Sequence, residues 1–337
     1  MRVNELRAAL GKYDKAVLQE IIVALYKAVP KSGKEAGGLD GLIQNYAEYK
    51  AKTPKGKDAA TVDIKALEQE IGQFIVYADA QYYLAPNRYV HKDKRSKWRF
   101  EVKRFIKELL KVSGEDSPAA ARLLADLYAM LSYATSFYVF RTEVPFSAVG
   151  YEQPELLKLV LGKIFYSGFD PEAIKKAVFL TLDSSCDRDT YHAQLLYALA
   201  ETLKTPDAKE LALKQCTLFP AEYDRYQAAK TVFVFNYSSW DSLWEYRRED
   251  HLNYAVELYL ILKSSLHEYD DGIAYFWKHF TSHDKEIVLY CLLRYLGDED
   301  LNHLWIREYE KAVKSGITPR DYLEDEYKER KMLHASK

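Results

Sequence analysis

Ten cationic side chains fall within 24 residues of this sequence. Arg88, Lys92, Lys94, Arg95, Lys97, Arg99, Lys103, Arg104, Lys107 and Lys111 are opposed there only by Asp93, Glu101 and Glu108, a local net charge of +7. Cations at this density attract phosphate backbones, because neutralising phosphates releases condensed counterions. Phe100 lies among them and offers a ring on which a base could stack. If Ser96 caps a helix and each residue turns about 100°, Trp98, Val102, Phe105, Ile106 and Leu109 gather on one side. Arg99, Lys103, Arg104, Lys107 and Lys111 then fall on the other, with Phe100 between them. The competing reading is a solvated face whose lysines oppose the acidic remainder of the same chain. An anionic lipid surface is a poorer partner, since the apolar side of this helix is committed to a core.

Other residues with chemical potential fall short of a site. Pro30-Lys31-Ser32-Gly33-Lys34-Glu35 superficially suggests a phosphate loop, yet it lacks the first glycine, the hydroxyl after the lysine and a preceding strand. His279 and His283 are four apart with Asp284 and Glu286 nearby, a spacing that could hold a metal on one helix face. Thr281 and Ser282 read as a break between them, so the two rings belong to different elements. His251, after Glu249 and Asp250, reads as a helix start. Ser184-Ser185-Cys186-Asp187, with His192 five residues on, supplies nucleophiles without a glycine elbow or an oxyanion site, and reads as an inter-helix loop with caps. The acids Glu245, Glu249 and Asp250, and Asp298, Glu299 and Asp300, could pair as acid and base, as could any surface carboxylates. The sequence therefore predicts no catalytic residue, no metal ligand and no cofactor.

The elements that must position these groups are helical. Val17, Leu18, Ile21, Ile22, Leu25, Tyr26 and Val29 form a stripe that Asp14 opens and Pro30 ends. Similar stripes run through Ile64 to Ala78 and Trp98 to Leu109, with a glycine- and proline-rich stretch before the first of these. A capping side chain followed by proline marks helix starts at Ser117-Pro118, Asp170-Pro171, Thr205-Pro206 and Thr318-Pro319. Further helices fit Tyr191 to Leu203, Leu252 to Leu262, Ile273 to Phe280, Ile287 to Leu296 and Leu301 to Val313. Thr231 to Phe235 could be a strand but fits a buried helical segment better. The expected fold is all-α, with roughly twelve to fifteen helices, built as stacked antiparallel helical hairpins in a HEAT- or tetratricopeptide-like array, or as an irregular bundle. Trp240, Trp244, Trp277 and Trp305 are assigned to its core.

With 337 residues, 48% apolar and 29% charged, the chain can fill a sizeable core and is not disordered. Its net charge of −2 hides a division: residues 1–116 balance to +6 and residues 117–337 to −8. We therefore expect a basic N-terminal helical domain, 1–116, and an acidic repeat-like domain, 117–337. Cys186, Cys216 and Cys291 are far apart and read as reduced thiols. Charges interrupt the first apolar run, and the most apolar stretches, Ala177 to Leu182 and Ala255 to Leu262, are far shorter than a bilayer span; the second contains Glu257. No export and no membrane partner are expected, and the setting is cytoplasmic.

The stretches LRAALGKYDKAVLQEIIVALYK, residues 6–27, and NRYVHKDKRSKWRFEVKRFIKELLKV, residues 87–112, resemble an uncharacterised family of bacterial cytoplasmic helical proteins over the first third of the chain. The resemblance implies a bacterial cytoplasmic setting and brings no activity with it. The first functional expectation is a non-enzymatic helical interaction or scaffold protein with a protein partner. The alternative is nucleic-acid binding through residues 88–111, and the third reading is an enzyme with a dispersed site.

Overall fold

In the computed structural model the structure describes residues 9–29, 40, 43, 63–229 and 240–335, with backbone alone for 224, 226–229, 240–246 and 334–335. The phosphate-loop-like run at 30–35 and the segment 231–235 lie outside the described residues. Residues 1–62 and 63–337 are two separate units. In the first, α1 (Lys15–Ala28) begins where the Asp14 carboxylate accepts from the Val17 amide at 2.9 Å.

The second unit contains α2 (Ile64–Asp79), the single turn α3 (Lys92–Arg95), α4 (Trp98–Lys111), α5 (Ser117–Ser136), the short α6 (Pro145–Val149), α7 (Gln153–Ile164) and α8 (Pro171–Leu182). It continues with α9 (His192–Thr202), α10 (Pro206–Ala229), α11 (Trp240–Ser265), α12 (Tyr269–His279), α13 (Lys285–Asp298), α14 (Asn302–Lys314) and α15 (Asp321–Ala335). Among the described residues there are fifteen α-helices and no strand, so the fold is all-α.

The starts follow from local chemistry. Asp63 accepts from the Lys65 and Ala66 amides, and Asp170 from those of Glu172 and Ala173, so each satisfies amides that a helix start leaves open. Pro118, Pro171 and Pro206 stand in the opening turns of α5, α8 and α10, as their missing N–H allows. Three starts depart from expectation. Ser117 does not cap α5: it is the helix's first residue, follows Asp116 at the N-cap position, and neither side chain makes a cap hydrogen bond. Thr318-Pro319 precedes α15 instead of opening it, because the chain stays non-helical until Asp321 while Arg320 reaches back to Glu286 of α13. Ser96 closes α3, and α4 starts from Lys97 without a side-chain cap.

Packing follows the apolar stripes. α2 and α4 both lie on α5, α5 packs on α7, α7 on α9 and α9 on α11, while α8 packs on α10 and α10 on α11. The charge boundary at 116/117 thus falls inside one compact unit, between the contacting helices α4 and α5. A second group of contacts joins α11 to α12, α13 to α14 and α14 to α15 around Leu260, Phe276, Leu289, Leu293 and Trp305. Trp305 is fully buried and Trp277 partly so, its indole donating to buried Glu308 at 2.8 Å. The side chains of Trp240 and Trp244 are outside the described set. Glycine is required at Gly150, which ends α6 at φ +84° and whose missing Cβ leaves room for the Lys103 ammonium. Buried Lys163 ties α7 to the end of α4 by donating to the Val112 carbonyl. Among the described residues no helix is long and apolar enough to cross a membrane.

Candidate nucleic-acid interface

The charged segment is built on α4 and on the loop that leads from α2 into it. Trp98, Val102, Phe105, Ile106 and Leu109 are all buried, which fixes the rotation of α4. Arg99, Phe100, Arg104, Lys107 and Lys111 are exposed and Lys103 is half-buried, as the helical period requires. Arg99, Lys103, Lys107 and Lys111 form one i, i+4 row, with successive positions rising about 6 Å.

The ten cations do different jobs. Arg104 pairs with Glu70 of α2 and with Glu108, at 3.1 Å for the latter, and its charge is spent locally. Arg95 turns inward and donates to the Val90 carbonyl at 3.0 Å and the Asn87 carbonyl at 3.1 Å, closing the loop. Arg88 donates to the Tyr89 hydroxyl at 3.4 Å and lies 5.4 Å from that ring. Lys92, Lys94, Lys97, Arg99, Lys103, Lys107 and Lys111 make no ion pair within 4.0 Å among the described residues; Arg99 rests only on the Phe100 ring, 5.0 Å away.

The loop also assembles rings. Asn87 donates to the carbonyls of Tyr82 and Ala85 and accepts from the amides of Tyr89 and Val90 at 2.9 and 2.7 Å, so one side chain satisfies four backbone groups. With Arg95 completing the closure, Tyr89 lies parallel to Tyr82, centroids 4.6 Å apart at 8°. Tyr77 of α2 flanks both, 5.6 Å from Tyr82 and 6.1 Å from Tyr89. The outer ring, Tyr89, is 51% exposed and Phe100 is 59% exposed. Tyr77, Tyr89, Lys94, Glu101 and Arg104 border a cavity of about 430 Å³. Exposed π-faces next to unpaired cations can hold a base and its phosphate together. Phe100 was visible in the sequence; the Tyr77, Tyr82 and Tyr89 cluster was not, and its only sequence signal is the tyrosine-rich flank ahead of the charge run.

The other candidates disperse. Ser184 to Asp187 is held down as a loop: buried Gln153 donates to the Ser185 carbonyl at 2.9 Å and accepts from the Asp187 amide at 3.1 Å, while Ser132 exchanges two hydrogen bonds with the Ser185 backbone. Burial pushes the Cys186 thiol up to about 12, so it is no thiolate nucleophile. His192 lies flat on Tyr254, ring centroids 3.4 Å apart, and is buried. His251 does not start a helix: it sits buried inside α11 with Nδ1 2.7 Å from the Leu182 carbonyl, which fixes the proton on that nitrogen. His279 ends α12 beside Tyr275, while His283 lies in the connector before α13. Glu249 and Asp250 are half-buried in α11; the side chain of Glu245 is outside the described set. Glu299 accepts from the Tyr197 hydroxyl at 2.6 Å, and Asp298 and Asp300 are exposed. Among the described residues no three His, Cys, Asp or Glu side chains gather as a metal set.

No family model matches the chain, and no curated protein or solved structure is similar to it.

Proposed function

We propose that this protein is a non-enzymatic binding protein that holds single-stranded nucleic acid along α4 and the loop preceding it. The observation that carries the reading is the coexistence of seven cations lacking carboxylate partners among the described residues with the Tyr82–Tyr89 stack and the exposed Phe100 ring. Phosphates would lie along the Arg99 to Lys111 row and bases on the rings; a duplex keeps its bases inside the stack and gains only the electrostatic part. A protein partner is the second reading, supported by exposed rings outside this segment, Tyr138, Tyr166, Tyr191 and Tyr322. We place the protein in the cytoplasm on the strength of its three free cysteines.

The test is fluorescence anisotropy with labelled single strands and the matching duplex at low salt. Single strands should bind more tightly, and the quadruple variant Lys94→Glu, Lys97→Glu, Arg99→Glu, Lys107→Glu should lose binding. Arg95 and Arg104 are left alone in it because they hold the loop and pair with α2. Absence of binding by the native protein at low salt overturns the reading and leaves the protein-partner one.

A further inference from the structure

Unit 63–337 contains a second cavity, of about 570 Å³, walled by α9, α11, α12 and α13. That volume lies within the range of small-molecule sites. Most of its wall is aromatic or aliphatic: Tyr191 and Tyr197 on one side, Tyr254, Leu260 and Ile261 on α11, Phe276 and Tyr295 beyond. Into this wall α11 puts a carboxylate, Glu257. Its neighbours along the helix, Val256, Leu258 and Leu260, are buried core residues. Glu257 has neither a hydrogen bond nor an ion pair within 4.0 Å among the described residues. The cation that acts on its charge is Arg294 of α13, which makes no ion pair with it and lies 5.7 Å from the Tyr290 ring. Glu257 is half-buried, and a carboxylate set against an apolar wall without a partner is costly to ionise; groups in such settings concentrate at ligand sites.

The charges identify the ligand. Glu257 and Asp298 line the cavity against one cation, Arg294, leaving an excess negative charge. The aromatic faces also attract cations through their quadrupoles. We propose that this cavity is a binding site for a small organic ammonium ion carried on an apolar, ring-sized body, with the ammonium against Glu257 and the body against Tyr254, Phe276 and Tyr295.

Burial raises Glu257 to about 7, with Arg294 opposing and Asp250 of the same helix adding to the rise. The other titratable groups facing the cavity are Tyr191, His192 and Tyr197 from the α9 side, Tyr254 on α11, and Cys291, Tyr295 and Asp298 on α13; the α12 side chain there, Phe276, does not titrate. An ammonium ion binds the ionised carboxylate, so lowering the pH must weaken it. From the fraction ionised, the affinity should fall about tenfold between pH 8 and pH 6, a range in which a primary alkylamine stays protonated.

Isothermal titration of the full chain with 2-phenylethylamine, its neutral isostere 2-phenylethanol and the anion 3-phenylpropanoate tests the proposal. At pH 8 the amine should bind at least tenfold more tightly than the alcohol, and the anion most weakly. Glu257→Gln, which keeps the shape, should erase the amine's advantage and leave the alcohol unchanged. Equal binding of amine and alcohol, preference for the anion, or no heat with any of the three up to about 10 mM overturns it. The comparison of the three probes on the native protein decides the matter even if the variant fails to fold.

Discussion

The salt dependence of oligonucleotide binding turns the interface into a number. Seven cations on α3, α4 and their flanks lack carboxylate partners among the described residues: Lys92, Lys94, Lys97, Arg99, Lys103, Lys107 and Lys111. If each neutralises one phosphate of a single strand, log K should fall against log salt with a slope of about −0.7 per contact, or about −5 in all. Between 50 and 200 mM salt that is roughly a thousandfold loss of affinity. Lys107→Gln, at an exposed position on the row, should make the slope shallower by about 0.7 at every oligonucleotide sequence. Tyr89→Ala should behave differently, because its ring carries no charge: affinity should drop about 5- to 150-fold, the equivalent of about 1–3 kcal/mol of stacking, with the slope unchanged. Anisotropy titrations at four salt concentrations on the native protein and the two variants give all three slopes. A native slope shallower than about −2, or a Tyr89→Ala variant that loses slope and keeps affinity, would refute the division of labour between the lysine row and the tyrosine stack.

Three further expectations concern the scaffold. Burial, with His251 adding to it, pushes His192 down to about 3 from an ordinary 6.5, so between those values the unfolded chain binds the proton that the folded one refuses. Stability contributed this way is complete above about pH 6.5 and is lost as pH falls toward 3; urea unfolding should show His192→Phe losing about 2 kcal/mol less than the native chain between pH 6.5 and 5, with Glu257 titrating alike in both. Asn253, buried in α11, donates to the Thr281 carbonyl and accepts from the Thr281 amide, both at 2.9 Å, so Asn253→Ala should cost about 2–3 kcal/mol by chemical denaturation. Glu286 holds Arg320 through two hydrogen bonds at the approach to α15; because Arg320 is exposed, Glu286→Gln should change global stability little and show instead as faster protease cleavage between Ser315 and Arg320.

Where the sequence could be read, local rules were in control. The buried side of α4 is the predicted one, because the period of Trp98, Val102, Phe105, Ile106 and Leu109 leaves a helix only one way to turn. Asp14 and Asp170 cap their helices because a carboxylate two or three residues ahead of open amides needs no tertiary help. Two of the misreadings involve contacts across long sequence separations. His251 looked like a helix start beside two acids, yet its partner is the Leu182 carbonyl, 69 residues earlier, and α11 runs straight through it. Thr318-Pro319 carries the local signature of a helix start, while Arg320 just beyond it is engaged by Glu286, 34 residues away.

The two sites were legible to different degrees for the same reason. A charge run is a local property, so residues 88–111 stood out at once; how those charges are spent is not, and the ion pair from Arg104 to Glu70 and the inward turn of Arg95 depend on α2 and on a loop closed by Asn87. Tyr77, Tyr82 and Tyr89 follow neither a helical nor a strand period, because a loop and not a helix brings them together. The second cavity had a fainter local trace, the single acid in the apolar run from Ala255 to Leu262. An acid that interrupts an amphipathic stripe ordinarily faces water. Glu257 instead faces an aromatic wall made by three other helices, and it is this mismatch between its helix neighbours and its charge that makes the position chemically informative.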